Sequence, residues 1–194
     1  PSNTLSFILY YVSNNPEIEQ NILDEIEKVF GHGSDFNINY EELCKLEYIE
    51  AVIKEVLRVK PATATISRFS ENSDQIYNYK IPASTQLVIN VIGLHMNPKY
   101  WDEPTKFNPS RFLSSNSNYN KNTKDEVFNK NSYMYFGGGL RMCPGKQLAM
   151  IQLKMLVVLL YSKYKFDIIT KDPLTRDNIN TQCRELKIRI KHRM

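Results

Sequence analysis

A ten-residue segment in the C-terminal half of the chain constrains its fold and chemistry more than any other feature. Residues 136–145 read FGGGLRMCPG and hold four glycines, one arginine and one cysteine. Glycine tolerates positive φ and close approach of the backbone, so this segment can turn tightly around a bound group. An apolar run follows at once, and Pro144 suits the first turn of a helix. We therefore predict a helix beginning near Pro144, whose positive end favours the thiolate form of Cys143.

Four interpretations of residues 136–145 compete. A phosphate-binding loop needs G-x-x-x-x-G-K-[ST], but Gly139 and Gly145 lie one residue too far apart, and Gln147 stands where Ser or Thr is required. A structural zinc site needs several clustered Cys or His ligands, and none lies near Cys143 in the sequence. A glycine-rich turn before a core helix is the default from residue types alone. A single axial thiolate on haem iron is the fourth interpretation.

The fixed positions of the segment resemble a known motif. The haem-binding loop of the cytochrome P-450 family of haem-thiolate monooxygenases is matched by Phe136, Gly139, Arg141, Cys143 and Gly145. The resemblance implies that Cys143 is the axial ligand of the iron in haem b (iron protoporphyrin IX). It also implies that Phe136 packs against the porphyrin near the sulfur and that Gly145 lets the following helix approach it. Arg141 would bind a haem propionate.

A second resemblance lies in a helix predicted over residues 46–59. Glu55 and Arg58 are three residues apart and therefore neighbours on one flank, and an ordinary exposed pair of this kind is worth about 0.2–0.5 kcal/mol. However, residues 54–58 resemble the family's K-helix, whose Glu and Arg are buried partners of a second arginine downstream. The segment around Arg111 resembles the family's P-E-R-F segment, with Ser110 in place of the acidic residue. The resemblance implies one buried network of Glu55, Arg58 and Arg111.

Hydrophobic periodicity and turn residues predict the remaining elements. Two further helices are expected at residues 3–11 and 16–30, the second with Asn15 as N-cap and Gly31 at its end. The helix after Cys143 is apolar almost all round, which predicts burial in the middle of a larger protein. Residues 114–131 are rich in Asn, Ser and Lys and are expected to form a solvated loop.

Strands are expected where short runs alternate between apolar and polar residues. These runs are 64–69, 77–81, 85–92, 166–169 and 186–190, the last two as a pair. Arg68 in the first strand is either a strand-edge cation or, as the resemblance implies, a ligand of a haem propionate, a task that suits a guanidinium. His95 is expected to be a structural histidine with satisfied hydrogen bonds and not a metal ligand.

Taken together, the elements predict a mainly α chain with small β-sheets (α+β). The resemblance implies that residues 1–194 are the C-terminal segment of a single cytochrome P-450 domain, incomplete at its N-terminus. That segment would run from the end of the distal helix through the K-helix, the haem-cysteine loop and the following helix to the C-terminal strands.

Composition narrows the possible partners and compartments. The net charge is +4 and the Lys and Arg residues are dispersed, so a nucleic-acid partner is not expected. Cys44, Cys143 and Cys183 are odd in number and widely spaced, which argues against a disulfide framework and fits a reducing, intracellular compartment. No stretch reaches the roughly 18–20 apolar residues of a membrane span. The resemblance implies a longer parent protein anchored in the endoplasmic reticulum membrane through an N-terminal segment.

The resemblance also implies a reaction and its partners. One oxygen atom of O₂ would enter a small organic substrate, with residues 62–66 and part of 175–181 near that substrate. Electrons would arrive singly from a partner reductase, an acidic flavoprotein. A basic docking patch for this partner is expected from lysines on the cysteine side, namely Lys146, Lys121, Lys124 and Lys130.

The distal, oxygen-activating part of the family's site is expected to be missing. In the family, the segment A-G-x-[DE]-T comes immediately before what is here residues 1–5, so Thr4 is not the catalytic threonine. We therefore expect no catalytic residue of this kind within the chain. The alternative function is that of a truncated, non-catalytic remnant that binds haem weakly or not at all.

Overall fold

The computed structural model describes residues 1–33, 36–113, 132–170, 173–177 and 181–193, and only the backbone of 174–177. Its helices are α1 (Ser2–Ser13), α2 (Pro16–Phe30), α3 (Tyr40–Lys45), α4 (Glu47–Val59), α5 (Val91–His95) and α6 (Lys146–Lys163). Short 3₁₀ turns lie at Pro109–Phe112 and Gly139–Arg141. The strands are β1 (Thr65–Phe69), β2 (Asp74–Ile76), β3 (Tyr79–Ile81), β4 (Gln86–Asn90), β5 (Tyr164–Ile168), β6 (Leu174–Asp177), β7 (Thr181–Glu185) and β8 (Ile188–His192).

Within these described ranges the strands form four two-stranded antiparallel sheets, which pair β1 with β4, β2 with β3, β5 with β8 and β6 with β7. In the β5–β8 pair Phe166 lies opposite Ile190, so the predicted pairing of the C-terminal strands is confirmed. Helices with small sheets are the predicted fold class, and the structure confirms it.

The hydrophobic core lies between α1, α2, α4 and α6. The apolar stripe of α4 is fully buried because three helices pack around it. Members of this core include Phe7, Ile8, Ile22, Ile49, Val52, Ile53, Val56, Leu153, Val157 and Tyr161. The helices predicted at 3–11, 16–30 and 46–59 are therefore confirmed, and α2 ends at Gly31 with φ 81° as expected.

Several predicted local features were wrong, two of them because a local hydrogen bond forms instead. The Asn15 side chain does not cap α2, because its amide donates to the Tyr11 carbonyl at the end of α1 (2.6 Å). The strand predicted over 85–92 ends at Asn90, whose side chain accepts the Gly93 N–H and caps α5. The strand predicted over 77–81 is the second arm of a hairpin that starts at Asp74 and turns at Tyr77 with φ 51°.

Helix α6 also differs from the prediction. It begins at Lys146 with Gly145 as N-cap, two residues later than expected. Only one of its faces is buried within the described part of the chain, since Leu148 and Leu159 stay exposed. The expectation of all-round burial is therefore not met there. The loop predicted over 114–131 lies outside the described residues.

Helices α3 and α5 were not predicted from the sequence. α3 is a single turn and a half, too short for a hydrophobic period to reveal it. Its N-terminus carries a capping box, in which the Asn39 side chain accepts the Glu42 N–H and the Glu42 carboxylate accepts the Asn39 N–H. The Asn-x-x-Glu spacing was the signal that could have found it.

Candidate functional site

The first polar cluster of the site is the ion pair on α4. Arg58 Nε donates to Glu55 Oε2 (2.7 Å) and Arg58 Nη2 donates to Glu55 Oε1 (2.8 Å), and both side chains are fully buried. The other N–H groups of the guanidinium donate to the carbonyls of His95 (2.9 Å), Pro104 (2.8 Å) and Lys106 (3.2 Å). All five donors of the guanidinium are thus used. The pair therefore ties α4 to the segment that follows α5.

Arg111 completes this cluster from the 3₁₀ turn Pro109–Phe112. Its Nε lies 3.5 Å from Glu55 Oε1, close enough for an ion pair although no hydrogen bond forms there. Its Nη2 donates to the Glu103 carbonyl (3.0 Å), and the Asn108 N–H donates to Glu55 Oε1 (2.8 Å). The structure thus brings Glu55, Arg58 and Arg111 together in the interior. The Ser110 N–H donates to the Asn108 side chain (3.1 Å).

Residues 136–145 form a closed turn that ends at the N-terminus of α6. The Cys143 N–H donates to the Phe136 carbonyl (2.9 Å), and the Met142 N–H donates to the Gly139 carbonyl (3.1 Å). Gly137 and Gly139 have φ values of 82° and 66°, which only glycine adopts without strain. These bonds fix the backbone at the cysteine and just before it, while the Cys143 side chain stays exposed.

A cavity of about 530 Å³ opens beside this turn. Its walls come from the turn, the start of α6, the end of α4 and the strand β1. The predicted residues Phe136, Arg141, Cys143, Gly145 and Arg68 all line it. Gly139 is exposed outside the cavity lining, so its role is in the backbone of the turn.

The chemistry of the cavity wall is apolar with a cationic edge. Apolar side chains such as Leu57, Ile66 and Leu153 alternate with the two guanidinium groups and one thiol, and no carboxylate lines the cavity among the described residues. In the same part of the chain no cluster of three His, Cys, Asp or Glu side chains is placed to hold a metal ion. A single thiol does not suit a bare ion, but it suits a metal that brings its other ligands in a macrocycle. The residues present therefore fit a haem.

His95 joins the two polar regions and was not recognised as a link from the sequence. Its ring is fully buried, with Nδ1 3.0 Å from the Arg58 carbonyl and with Nε2 accepting the Met134 N–H (3.0 Å). Burial is the main cause that lowers the pKa of His95 to about 4. The expectation of a structural histidine with satisfied hydrogen bonds agrees with these contacts.

The face of α6 opposite the cavity carries a second, partly buried set of charges. Lys154 is buried and its ammonium contacts Glu50 Oε2 (2.6 Å) and donates to the Leu43 carbonyl (3.1 Å). Lys54 also pairs with Glu50 (2.7 Å). Desolvation opposes ionisation of Glu50, but its hydrogen bonds to the two lysines outweigh that penalty and lower its pKa. The sequence analysis had placed no ion pair on this apolar helix.

Of the lysines predicted to form a docking patch, only Lys146 lies in the described residues. Its ammonium sits 5.4 Å from the centre of the Tyr135 ring. Lys121, Lys124 and Lys130 fall outside the described ranges. No helix in the described part of the chain is long and apolar enough to cross a membrane.

A helical fold with small sheets and a lone thiol over an apolar, cation-edged cavity is the arrangement expected of a haem-thiolate protein. Comparison with known proteins agrees. The cytochrome P-450 family model matches residues 1–191. The chain is 32% identical over 165 residues to cytochrome P-450 3A28 of Bos taurus and 33% identical over 165 residues to cytochrome P-450 3A14 of Cavia porcellus. It is 31% identical over 165 residues to cytochrome P-450 3A19 of Capra hircus aegagrus.

The chain therefore belongs to the cytochrome P-450 family. In each of these three alignments 85% of the chain is matched. It covers 31% of the length of the cattle and guinea-pig relatives and 71% of the goat relative. The family itself consists of haem-thiolate monooxygenases, whose members use a haem cofactor, a redox partner and organic substrates.

Proposed function

We propose that this chain supplies the thiolate-bearing part of a haem-thiolate monooxygenase, with Cys143 as the axial ligand of the iron. The observation that carries the proposal is the placement of the exposed Cys143 thiol in one cavity with Arg68 and Arg141. We further propose that residues 1–194 form the C-terminal segment of a single domain, as the order of the motifs along the chain suggests. The bound haem would supply oxygen activation and electron storage.

The residues of the closed turn orient the sulfur. The Phe136 carbonyl holds the Cys143 N–H, so the backbone of the cysteine is fixed before any ligand binds. A preset backbone lowers the entropy cost of binding. The Phe136 side chain lies in the cavity wall, where its ring would pack against the porphyrin. An added Cβ at Gly145 would lie at ordinary van der Waals contact with Cys143 Sγ (3.8 Å) and would occupy space beside the sulfur that glycine leaves free.

Arg68 and Arg141 would bind the two propionates of a haem b. Guanidinium groups pair with carboxylates through two parallel hydrogen bonds, and the cavity wall offers no competing carboxylate in the described residues. Arg68 is held at the cavity by β1, where its Nη1 donates to the Ser67 carbonyl (2.9 Å). The role of Glu55, Arg58 and Arg111 would be to hold α4 and the segment after α5 as one rigid support for this cavity.

The partners follow from the family and stay proposals for this chain. A small organic substrate would enter the cavity near Ala62, Thr63 and Ile66, which line it on the side of β1. Single electrons would come from a reductase, with Lys146 on the cysteine side as one contact for an acidic surface. The parent protein would be held at the endoplasmic reticulum membrane, as the resemblance to the family implies.

The experiment that tests the proposal is a carbon monoxide difference spectrum of the reduced, haem-loaded protein. Cys143→Ala should abolish the Soret band typical of thiolate ligation, because no other thiol lies in the cavity among the described residues. The matched control is Cys44→Ala, which removes another exposed thiol and should leave the spectrum unchanged. A thiolate-type band that persists in Cys143→Ala would refute the assignment.

A further inference from the structure

His95 lies between the two polar regions of the molecule. It is the last residue of α5 and is fully buried. On one side it contacts the backbone of Arg58, whose side chain forms the buried pair with Glu55. On the other side it contacts the backbone of Met134, two residues before the turn that carries Cys143. One imidazole thus joins the end of α4 to the start of the cysteine segment.

The two contacts admit only one form of the ring. The Arg58 carbonyl is an acceptor, so His95 Nδ1 must carry a proton and donate it. The Met134 N–H is a donor, so His95 Nε2 must be unprotonated and accept it. Neutral imidazole with the proton on Nδ1 satisfies both partners, and neither the other tautomer nor the imidazolium does.

We propose that His95 is a positioning residue for the cysteine segment, which it holds through the neutral Nδ1–H tautomer and releases on protonation. A proton added at Nε2 would face the Met134 N–H, so two donors would oppose each other and the hydrogen bond would be lost. Because Met134 lies two residues before the turn, the segment would lose one of its links to α4, while the Tyr133 hydroxyl would still donate to the Lys54 carbonyl (2.6 Å). This inference rests on the proposed function only in the claim that the segment then carries the haem ligand.

The groups around His95 also disfavour the imidazolium. Arg58 packs against His95 from α4, and its guanidinium both donates to the His95 carbonyl (2.9 Å) and pairs with Glu55. The centre of the Tyr133 ring lies 5.4 Å from the centre of the His95 ring, and the centre of the Trp101 ring lies 6.5 Å from it. Of these groups only Arg58 is cationic, and Glu55 is already neutralised by it. Burial and the Arg58 charge both lower the pKa of His95, which agrees with a neutral ring.

Two substitutions separate the two hydrogen bonds. The amide nitrogen of Asn occupies about the position of Nδ1, so His95→Asn keeps a donor for Arg58 and leaves Met134 unpaired. The amide oxygen of Gln reaches about as far as Nε2, so His95→Gln keeps an acceptor for the Met134 N–H. A merely space-filling role would make the two variants alike, whereas the proposed link makes them differ.

The first readout is hydrogen exchange at the Met134 amide, which needs no haem. At pH 7 we expect exchange about tenfold faster in His95→Asn than in the unmodified chain, since loss of one hydrogen bond is worth up to a factor of that size. His95→Gln should stay close to the unmodified chain. The unmodified chain itself should lose Met134 protection as the pH falls to about 4, the pKa of His95. Equal exchange in the two variants would overturn the proposal.

The second readout uses the unmodified chain, so it does not depend on how well a variant folds. Nitrogen-15 shifts of the imidazole should show a neutral ring protonated at Nδ1 at pH 7. A ring protonated at Nε2, or a charged ring, at that pH would overturn the proposal. A chain that passes both tests but shows no thiolate spectrum with haem would refute the proposed function and support the His95 link.

The third readout is the carbon monoxide spectrum of the reduced, haem-loaded protein. His95→Asn should convert part of the thiolate-type band to the form without thiolate ligation, and the converted fraction should grow on acidification. His95→Gln should rescue the thiolate-type band. An equal band in both variants at every pH would show that the Met134 link does not position the cysteine.

Discussion

The buried Glu55–Arg58 pair and the cavity beside Cys143 differ in how their polar groups are satisfied. In the Glu55–Arg58 pair every donor of the guanidinium has a partner inside the chain, and both side chains are fully buried. In the cavity, the Cys143 thiol is exposed and the Arg68 guanidinium is half-buried, with one hydrogen bond to its own strand. A guanidinium whose donors all have partners inside the chain is not available to a ligand. The polar groups that line the cavity are available to one.

The buried ion pair supports the cavity mechanically. Separating the partners of a buried ion pair would leave an uncompensated charge in the interior, so the two side chains stay together. The same pair fixes the carbonyls of residues 95, 104 and 106, so the segment after α5 cannot move independently of α4. The closed turn of Cys143 is built next to this rigid body. Glu55, Arg58 and Arg111 do not line the cavity, but they would hold in place the wall that the end of α4 forms.

The largest expected effect is that of breaking the buried pair. Glu55→Ala leaves the Arg58 and Arg111 cations buried without a counter-charge and should lower the free energy of unfolding by about 3–5 kcal/mol. The measurement is denaturant unfolding at neutral pH. The control is Glu185→Ala, which removes an exposed pair with Lys187 (2.9 Å) and should cost under about 1 kcal/mol. Similar losses in the two variants would mean that Glu55 acts as an ordinary surface residue.

A second effect of similar size should appear on acidification. The pKa of His95 is lowered from 6.5 to about 4 in the folded chain. The unfolded chain therefore binds the proton first, and His95 contributes stability that is complete above pH 6.5 and is lost as the pH falls towards 4. The contribution is about 3 kcal/mol at about 1.4 kcal/mol per pKa unit.

Acidic side chains titrate at low pH as well, so the contribution of His95 has to be isolated. The difference in unfolding free energy between the unmodified chain and His95→Gln should change between pH 7 and pH 4, because the Gln side chain does not titrate. A difference that is constant over this range would show that His95 has an ordinary pKa.

An intermediate effect is expected at Lys154. Lys154→Met fits the apolar face of α6 but removes one of the two cations that hold Glu50 ionised, while Lys54 remains. The loss of stability should be about 1.5–3 kcal/mol, the range for hydrogen bonds that involve a charged group, and the pKa of Glu50 should rise. Titration of Glu50 by carbon-13 NMR in the unmodified chain and in Lys154→Met checks the expected rise. An unchanged Glu50 pKa would mean that the Lys154 contact contributes nothing.

Substitutions at the cavity should have the smallest effect on stability but a large effect on haem retention. Arg68→Gln and Arg141→Gln remove cations from partly or fully exposed positions and should change the unfolding free energy by no more than about 0.5 kcal/mol. Haem loss to an acceptor protein should become faster in both, and Arg68→Lys should restore retention only in part because Lys lacks the two-pronged geometry. Unchanged haem retention in both Gln variants would remove the propionate role.

Much of the fold followed from the sequence because it depends on local spacing. The periodic spacing of apolar residues in α1, α2 and α4 predicts helices that bury one face. The combination of glycines, arginine and cysteine in residues 136–145 is compatible with few kinds of site. The structure adds the contacts made between distant residues. The carbonyl partners of Arg58 lie 37 to 48 positions away in the chain, and no spacing rule encodes them.

The same reason explains the misses. Lys154 stands in an apolar helix, and only the proximity of Glu50 on α4 and of the Leu43 carbonyl makes its burial tolerable. His95 was expected to be structural, but its role as a link depends on which backbone groups the fold brings to its two nitrogens. The Asn15 side chain can reach both the C-terminal end of α1 and the N-terminal end of α2. The sequence does not indicate with which of the two it forms a hydrogen bond.

The most direct test of the account is the iron–sulfur vibration of the haem-loaded protein. A variant with Cys44→Ala and Cys183→Ala retains a single sulfhydryl, that of Cys143. When this variant is produced with sulfur-34 cysteine, the iron–sulfur stretching band in the resonance Raman spectrum should shift to lower frequency. The band should be absent when Cys143→Ala is added. A band that does not shift with the isotope, or that survives the loss of Cys143, would contradict the assignment of Cys143 as the axial ligand.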